Sequence, residues 1–222
     1  MSHIVKIISI ERATHDVLRI ATEKPTGYSF VSGQATDVSV NKPQWQDEKR
    51  AFTFTSLPSD DHLEFTIKTY PAKQGVTNQL LHLKKGDELI LQDVFGDISY
   101  KGEGLFIAGG AGITPCIAIL RLLYAQKKIG SNKLIFANKT KADIINEIEL
   151  RKYLGTNFVN VLSDEKADGY EHGFITEGLI KTNNQGTDKF FYLCGPPPMM
   201  DAVEKQLANM NIKSENIIKE GF

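Results

Sequence analysis

Twice in the second half of this 222-residue chain an apolar run stops at glycine and passes into a segment opened by proline. The two stretches are residues 105–115 (LFIAGGAGITP) and 190–200 (FFYLCGPPPMM). Each reads as a buried parallel strand handing over to a helix, a geometry that exposes backbone N–H groups to a phosphate or nicotinamide. Two such turns in one half-chain point to a dinucleotide site.

The rhythm of the rest divides the chain in two. Up to about residue 99 the apolar segments are short: 4–10, 17–22, 37–40, 51–55, 63–68 and 88–91. In LEFTIK, Leu63, Phe65 and Ile67 alternate with Glu64, Thr66 and Lys68, the period of a half-buried strand. About six such strands argue for a small antiparallel barrel, interrupted by one helical stretch near 77–83. From residue 105 the pattern becomes strand, helix, strand: LFIAGG, PCIAILRLLYAQ, KLIFAN, KADIINEIELRKYL, NFVNVLSD, a short ITEGLIK, KFFYLCG, PMMDAVEKQLANM and NIIKEGF. That alternation predicts a parallel sheet with helices on both faces. The glycine-rich stretch 96–104 separates the halves, so two domains are expected, 1–99 and 100–222.

Charge and cysteine content narrow the function classes. With 26 basic and 27 acidic residues the net charge is -1, which gives nucleic acid or an anionic membrane no electrostatic purchase. The N-terminal segment is broken by charge every few residues and no apolar run is long enough to span a bilayer, so a cytoplasmic protein is expected. Two cysteines, Cys116 and Cys194, rule out a four-cysteine iron–sulfur cluster on this chain. The five histidines show no metal-ligand spacing, so no metal site is expected, and neither a nucleophile elbow nor a P-loop occurs.

Several segments carry candidate chemistry. In 50–56 (RAFTFTS) alternation sets Arg50, Phe52 and Phe54 on one face and Ala51, Thr53 and Thr55 on the other, a pattern equally open to an ordinary barrel strand. Gly75-Val76-Thr77 reads as a helix start that attracts an anion, or as a start merely capped by Thr77. In AGGAGITP the glycines allow close backbone approach, Thr114 is placed to cap a helix and Pro115 suits its first turn. Cys116 falls inside an apolar helix as a packing residue, whereas Cys194 sits at a strand's carboxyl end, where open α/β sheets bind ligands. No acidic residue closes KLIFAN. Lys139 and Lys141 follow it, and basic residues there can hold the extra phosphate of NADP.

Taken in order, RAFTFTS, GVT, AGGAGITP, CGPPPMM and the terminal EGF resemble the ferredoxin–NADP reductase superfamily over essentially the whole chain. The resemblance implies a six-stranded antiparallel Greek-key barrel that binds flavin, followed by an NAD(P)-binding α/β domain. It carries flavin contacts onto Arg50, Phe52 and Thr53, more weakly onto Ser56, onto the phosphate element Gly75, Val76 and Thr77, and onto Lys68 to Tyr70, where Tyr70 could stack on adenine and favours FAD over FMN. Phe52 and Thr53 stand where the family usually has tyrosine and serine. Gly110, Gly112, Ile113 and Thr114 match the nicotinamide-nucleotide loop, with Cys194, Gly195 and Pro196 beside the reacting ring. Asn138, Lys139 and Thr140 fall at the nucleotide's far end. The terminal Glu220-Gly221-Phe222 implies an aromatic, Phe222, that stacks on the flavin, and Thr53, Cys194 and Glu220 emerge as the expected catalytic set.

The activity so implied is hydride transfer from NADH or NADPH to bound FAD, followed by single-electron delivery to a separate flavodoxin or ferredoxin. A free-flavin reductase or an oxygenase reductase component is the competing enzyme reading. A nucleotide-binding regulatory subunit without electron transfer is the competing reading from another class. The segment ANKTKADI also resembles NADH-using members, against the lysine argument for NADP.

Overall fold

The structure is a computed structural model that describes residues 2–184 and 190–220. Its contacts divide the chain into two compact units, Met1–Gly96 and Asp97–Phe222.

The first unit is an antiparallel sheet of β1 (His3–Arg12), β2 (Val17–Glu23), β3 (Ala35–Val40), β4 (Arg50–Thr53), β5 (His62–Lys68) and β6 (Glu88–Phe95). The order β4-β3-β6-β1-β2-β5 places β6 between β1 and β3, so the last strand returns to lie beside the first. Alternation drives the strands: on β1, Val5 and Ile7 are buried while Ile4 and Ile8 face outward. The sheet curls until its ends meet. Just past β4, Phe54 bridges Phe65 of β5 and the Thr55 N–H donates to the Glu64 carbonyl at 2.7 Å. The strip of strand expected at 51–55 thus serves two partners, β3 as far as Thr53 and β5 beyond it. Phe54 is the hub of the core, its ring stacked on Phe30 at 4.3 Å and touching Tyr28 and Phe65. One helix interrupts the strands. It is shorter than the sequence suggested, a single turn α1 (Val76–Gln79) running into a 3-10 turn (Leu80–His82).

The second unit is a six-stranded parallel sheet of β7 (Gly104–Gly109), β8 (Lys133–Asn138), β9 (Phe158–Leu162), β10 (Glu171–His172), β11 (Phe190–Cys194) and β12 (Ile217–Ile218), in the order β10-β9-β8-β7-β11-β12. β8 and β7 form the centre, with β11 on the far side of β7, and β7 is buried at all six positions. Helices α4 (Glu177–Asn184) and α5 (Pro197–Asn209) cover the face built by Leu105, Ile107, Ile135, Val161, Phe191 and Leu193, with Ile180, Val203 and Leu207 packed into it. Helices α2 (Thr114–Ala125) and α3 (Glu147–Leu154) pack against each other, held by a bidentate Arg121–Glu149 pair at 2.6 and 2.9 Å.

Three local expectations need correction. The stretch 141–154 is not one helix: a 3-10 turn at Lys141–Asp143 is followed by Asn146 at φ 54°, and only then does α3 begin. Left-handed backbone at Asn146 breaks the helical ladder, a conformation asparagine tolerates better than most residues. β10 was not foreseen, because a two-residue edge strand carries no periodicity. The segment after residue 96 is not a loose tether either. Ile98 is buried, and the Tyr192 hydroxyl accepts the Lys101 and Gly102 N–H groups and donates to the Gly102 carbonyl.

Candidate functional site

The chain runs outward from β7 through β8, β9 and β10, then returns to place β11 on the other side of β7. The strand order therefore reverses between β7 and β11. Beyond the carboxyl ends of two strands that diverge in this way lies the crevice in which open α/β sheets bind ligands. Both glycine-bearing turns of the sequence end there. Gly110 has φ 51°, a left-handed value that needs no Cβ, and it opens a 3-10 turn (Gly110–Ile113) leading into α2. A Cβ on Gly112 would strike the Cys194 carbonyl and lie 2.6 Å from the Gly195 N. Gly112 is thus the point at which the two turns touch backbone to backbone. Ile113 is buried and can offer a ligand only its main chain. Thr114 is not the cap expected of it: it is the first residue of α2, after Ile113 as N-cap, and its hydroxyl donates to the Ala111 carbonyl at 3.2 Å.

Cys194 ends β11 at this crevice, with Gly195 and Pro196 leading into α5. Burial, and secondarily the Glu220 carboxylate, push its thiol up to about 12. Cys194 is therefore a neutral S–H donor near neutral pH, not a thiolate nucleophile. Glu220 is held by the Asp97 N–H, which donates to its carboxylate at 3.3 Å. The fold thus gathers Gly110, Gly112, Cys194, Gly195 and Glu220 from three separate stretches of one unit. Gly221 and Phe222 lie outside the described residues. Cys116 is buried within α2, where desolvation raises its thiol well above the ordinary range, in keeping with packing.

At the carboxyl end of β8 the loop is occupied with itself. The Thr140 N–H and hydroxyl both donate to one carboxylate oxygen of Asp143, at 2.9 and 2.8 Å. The Lys141 N–H donates to Glu165 at 2.8 Å, and its ammonium lies 5.5 Å above the Tyr170 ring. The Asp164 N–H donates to the Lys139 carbonyl, and Lys139 is exposed. Asn138 is buried, and neither atom of its side-chain amide has a protein partner among the described residues. Asp143, Asp164 and Glu165 escaped the reading of the sequence because they come from two separate loops that only the pairing of β8 with β9 brings together.

In the first unit, Arg50 stands at the start of β4 with its guanidinium about half exposed, donating to the Lys49 carbonyl and 4.0 Å from Glu48. Phe52 lies partly against the barrel core and Thr53 ends the strand. Ser56 is buried, and its hydroxyl oxygen accepts the Glu64 N–H at 3.0 Å, so it stitches the closing seam. Lys68 is paired with Asp16 at 2.7 Å. Tyr70 presents an exposed ring with the Lys73 ammonium 5.2 Å above it. At α1 the N-cap is Gly75 and Thr77 caps nothing. The side chain of Val76 is buried in the barrel, which leaves main-chain N–H groups as what this turn has to offer.

Residues 106–205 match the family model described as oxidoreductase NAD-binding domain. Over 98% of its length the chain is 30% identical to the propane 2-monooxygenase reductase component of Mycolicibacterium smegmatis, of which it spans 66%. The chain belongs to the ferredoxin–NADP reductase superfamily. Solved members of this superfamily share the fold end to end. A ferredoxin NADP+ reductase from Neisseria gonorrhoeae with bound FAD and NADP superposes with a TM-score of 0.82 at 20% identity, covering 100% of this chain and 99% of that one. The flavohem-like FAD/NAD binding domain of the nitric oxide dioxygenase from Vibrio cholerae gives 0.86 at 23%, covering 99% and 98%. Among the described residues no helix is long and apolar enough to cross a membrane.

Proposed function

We propose that the protein is an NADH-dependent FAD reductase that hands electrons to a separate carrier. The observation that carries this reading is the pair of glycine turns meeting at the sheet's switch point, with a neutral thiol and a carboxylate beside them. A nicotinamide nucleotide fits such a crevice: Gly110 and Gly112 leave its approach free of Cβ atoms, and the start of α2 offers N–H groups to a pyrophosphate. The thiol of Cys194 and the carboxylate of Glu220 orient the reacting ring as hydrogen-bonding groups, without exchanging a proton with solvent at neutral pH in the case of the thiol.

The barrel fits FAD in its donor set. Arg50 carries an exposed cation for a pyrophosphate, the α1 turn from Gly75 to Thr77 adds main-chain donors, and the open ring of Tyr70 is available to an adenine. Thr53 supplies a hydroxyl and Phe52 a flat apolar wall where the family places the flavin ring. FAD supplies, when bound, the acceptor for hydride and the step from paired to single electrons.

The loop after β8 favours NADH over NADPH. A 2′-phosphate at this strand end would meet Asp143, Asp164 and Glu165, while Thr140 and the Lys141 amide are already spent on two of those carboxylates. Lys139 is an exposed cation at the β8 end, set among these three carboxylates.

Steady-state turnover of the FAD-loaded protein with each coenzyme, using a one-electron dye as acceptor, tests the reading. It expects dye reduction with at least about tenfold higher kcat/KM for NADH, a ratio within the range that differential binding gives. NADPH preferred by that margin would remove the coenzyme assignment, and no reduction with either would remove the function. A second reading, a reductase component serving an oxygenase, is favoured by the name of the Mycolicibacterium relative. Reduction of an oxygenase partner but of no soluble flavodoxin or ferredoxin would select it.

A further inference from the structure

Met199 occupies a position that none of the motif residues explains. It lies in the first turn of α5, where its N–H donates to the Pro196 carbonyl at 2.9 Å, and its side chain packs onto the core of the second unit. The far end of that side chain reaches both glycine turns. A Cβ on Gly109 would lie 2.5 Å from the Met199 Sδ and 3.3 Å from its Cε. A Cβ on Gly195 would run into the same Cε and lie 3.2 Å from the Sδ and 3.2 Å from the Gly109 N. The thioether therefore fills the space that side chains at two strand ends would otherwise claim, and it touches the two main chains whose separation defines the mouth of the crevice.

We propose that Met199 is a positioning residue: from α5 it sets the spacing of the turn after β7 against the turn after β11, and through that spacing the grip on the nicotinamide nucleotide. The proposal rests on the reading of this crevice as the coenzyme site. An unbranched, polarizable side chain suits the role because it fits an irregular gap between two backbones without imposing a branch on either. Shortening it leaves a void lined by two glycines, and glycine turns, having no side chains to hold them, can relax into it. The grip on the nucleotide weakens before the sheet loses stability.

The test is a double-substitution cycle in the FAD-loaded protein, reading KM and kcat for NADH and the thermal midpoint without coenzyme. Met199→Ala is expected to raise KM about tenfold with kcat changed by no more than about threefold, the pattern of lost binding that is uniform between ground and transition states. Met199→Leu is expected to recover most of that loss. Gly109→Ala alone is expected to raise KM by more than tenfold because its methyl meets the thioether, and Gly109→Ala with Met199→Ala is expected to be better than Gly109→Ala alone, a coupling that independent sites do not show. A KM for Met199→Ala within about twofold of wild type, or strictly additive effects, overturns the proposal. Where Met199→Ala does not fold, Met199→Leu paired with Gly109→Ala reads the same coupling, and additivity there overturns it as well. Unsubstituted protein that oxidises neither NADH nor NADPH overturns the coenzyme reading itself, an outcome visible before any variant is made.

Discussion

The turns at the centre of the parallel sheet and the strand that opens the barrel's closing seam are both functional candidates, yet their residues are constrained by different forces. At the sheet, Gly112 is fixed by the fold itself, because a Cβ there would strike the Cys194 main chain, whereas at Gly109 and Gly195 it would meet chiefly the far end of Met199. At the barrel, Arg50 is half exposed and among the described residues its side chain makes a peripheral hydrogen bond and a distant ion pair, so the barrel does not need it. Steric necessity explains Gly112 without any ligand, whereas the packing of the barrel does not account for Arg50. Residues whose presence the fold does not explain are the better evidence of chemistry, and residues the fold demands are the better evidence of where the chemistry sits.

Substitution at the two regions should separate these forces, and the largest effect is expected at Gly112. Gly112→Ala forces a methyl against the Cys194 carbonyl group and the Gly195 N, which must move the main chain. Overpacking of this kind costs about 1–3 kcal/mol, so both the unfolding midpoint in denaturant and coenzyme binding are expected to fall. A stable Gly112→Ala protein that binds coenzyme normally would mean that the turns are not in contact.

Arg50→Ala should show the opposite profile. Its exposure predicts an apo stability within about 0.5 kcal/mol of wild type, with FAD affinity lowered about tenfold or more by loss of a charge-assisted contact to the pyrophosphate. Equilibrium dialysis of FAD and denaturant titration of the apoprotein measure the two quantities. Ser56→Ala, six residues along the same strip, should reverse that pattern. It orphans the part-buried Glu64 N–H and is expected to cost about 1 kcal/mol or more in stability, with FAD affinity little changed.

The last effect is absent at neutral pH and shows only on the alkaline side. The Cys194 thiol is raised to about 12 in the folded chain, against about 8.5 for a free thiol. The folded state thus holds this proton more tightly than the unfolded one, and the corresponding stability is complete below about pH 8.5 and is lost as pH rises toward 12. Thermal midpoints measured across this window should decline, and Cys194→Ser should flatten the decline, leaving the share that comes from Cys116 and from the raised tyrosines Tyr28, Tyr153, Tyr170 and Tyr192. An unchanged slope in Cys194→Ser would show that the thiol is not buried as described.

How much of this was legible in the sequence follows the same division. The barrel strands announced themselves by alternation, as in Leu63, Phe65 and Ile67, all buried. The strands β7 and β11 announced themselves by apolar runs ending at glycine. Helix ends were less legible. Thr77 and Thr114 look like caps in the sequence, but Gly75 and Ile113 hold those positions, because a preceding turn had already set the backbone. The break at Asn146 was hidden within a helical period that continues across it. For the site, the glycines and Cys194 could be read because they sit at strand ends. Met199, Asp164 and Glu165 could not, since their roles depend on which strands become neighbours. Ser56, placed among the flavin contacts by resemblance, turns out to have a partner in the barrel seam.

The central claim is that this chain moves hydride from NADH to a flavin that its barrel holds. Anaerobic rapid mixing of FAD-loaded protein with NADH, and separately with NADPH, while recording the visible flavin band, addresses it most directly. The account predicts bleaching in a single turnover, faster and at lower coenzyme concentration with NADH. A protein that carries FAD yet keeps its full colour with both coenzymes would contradict it.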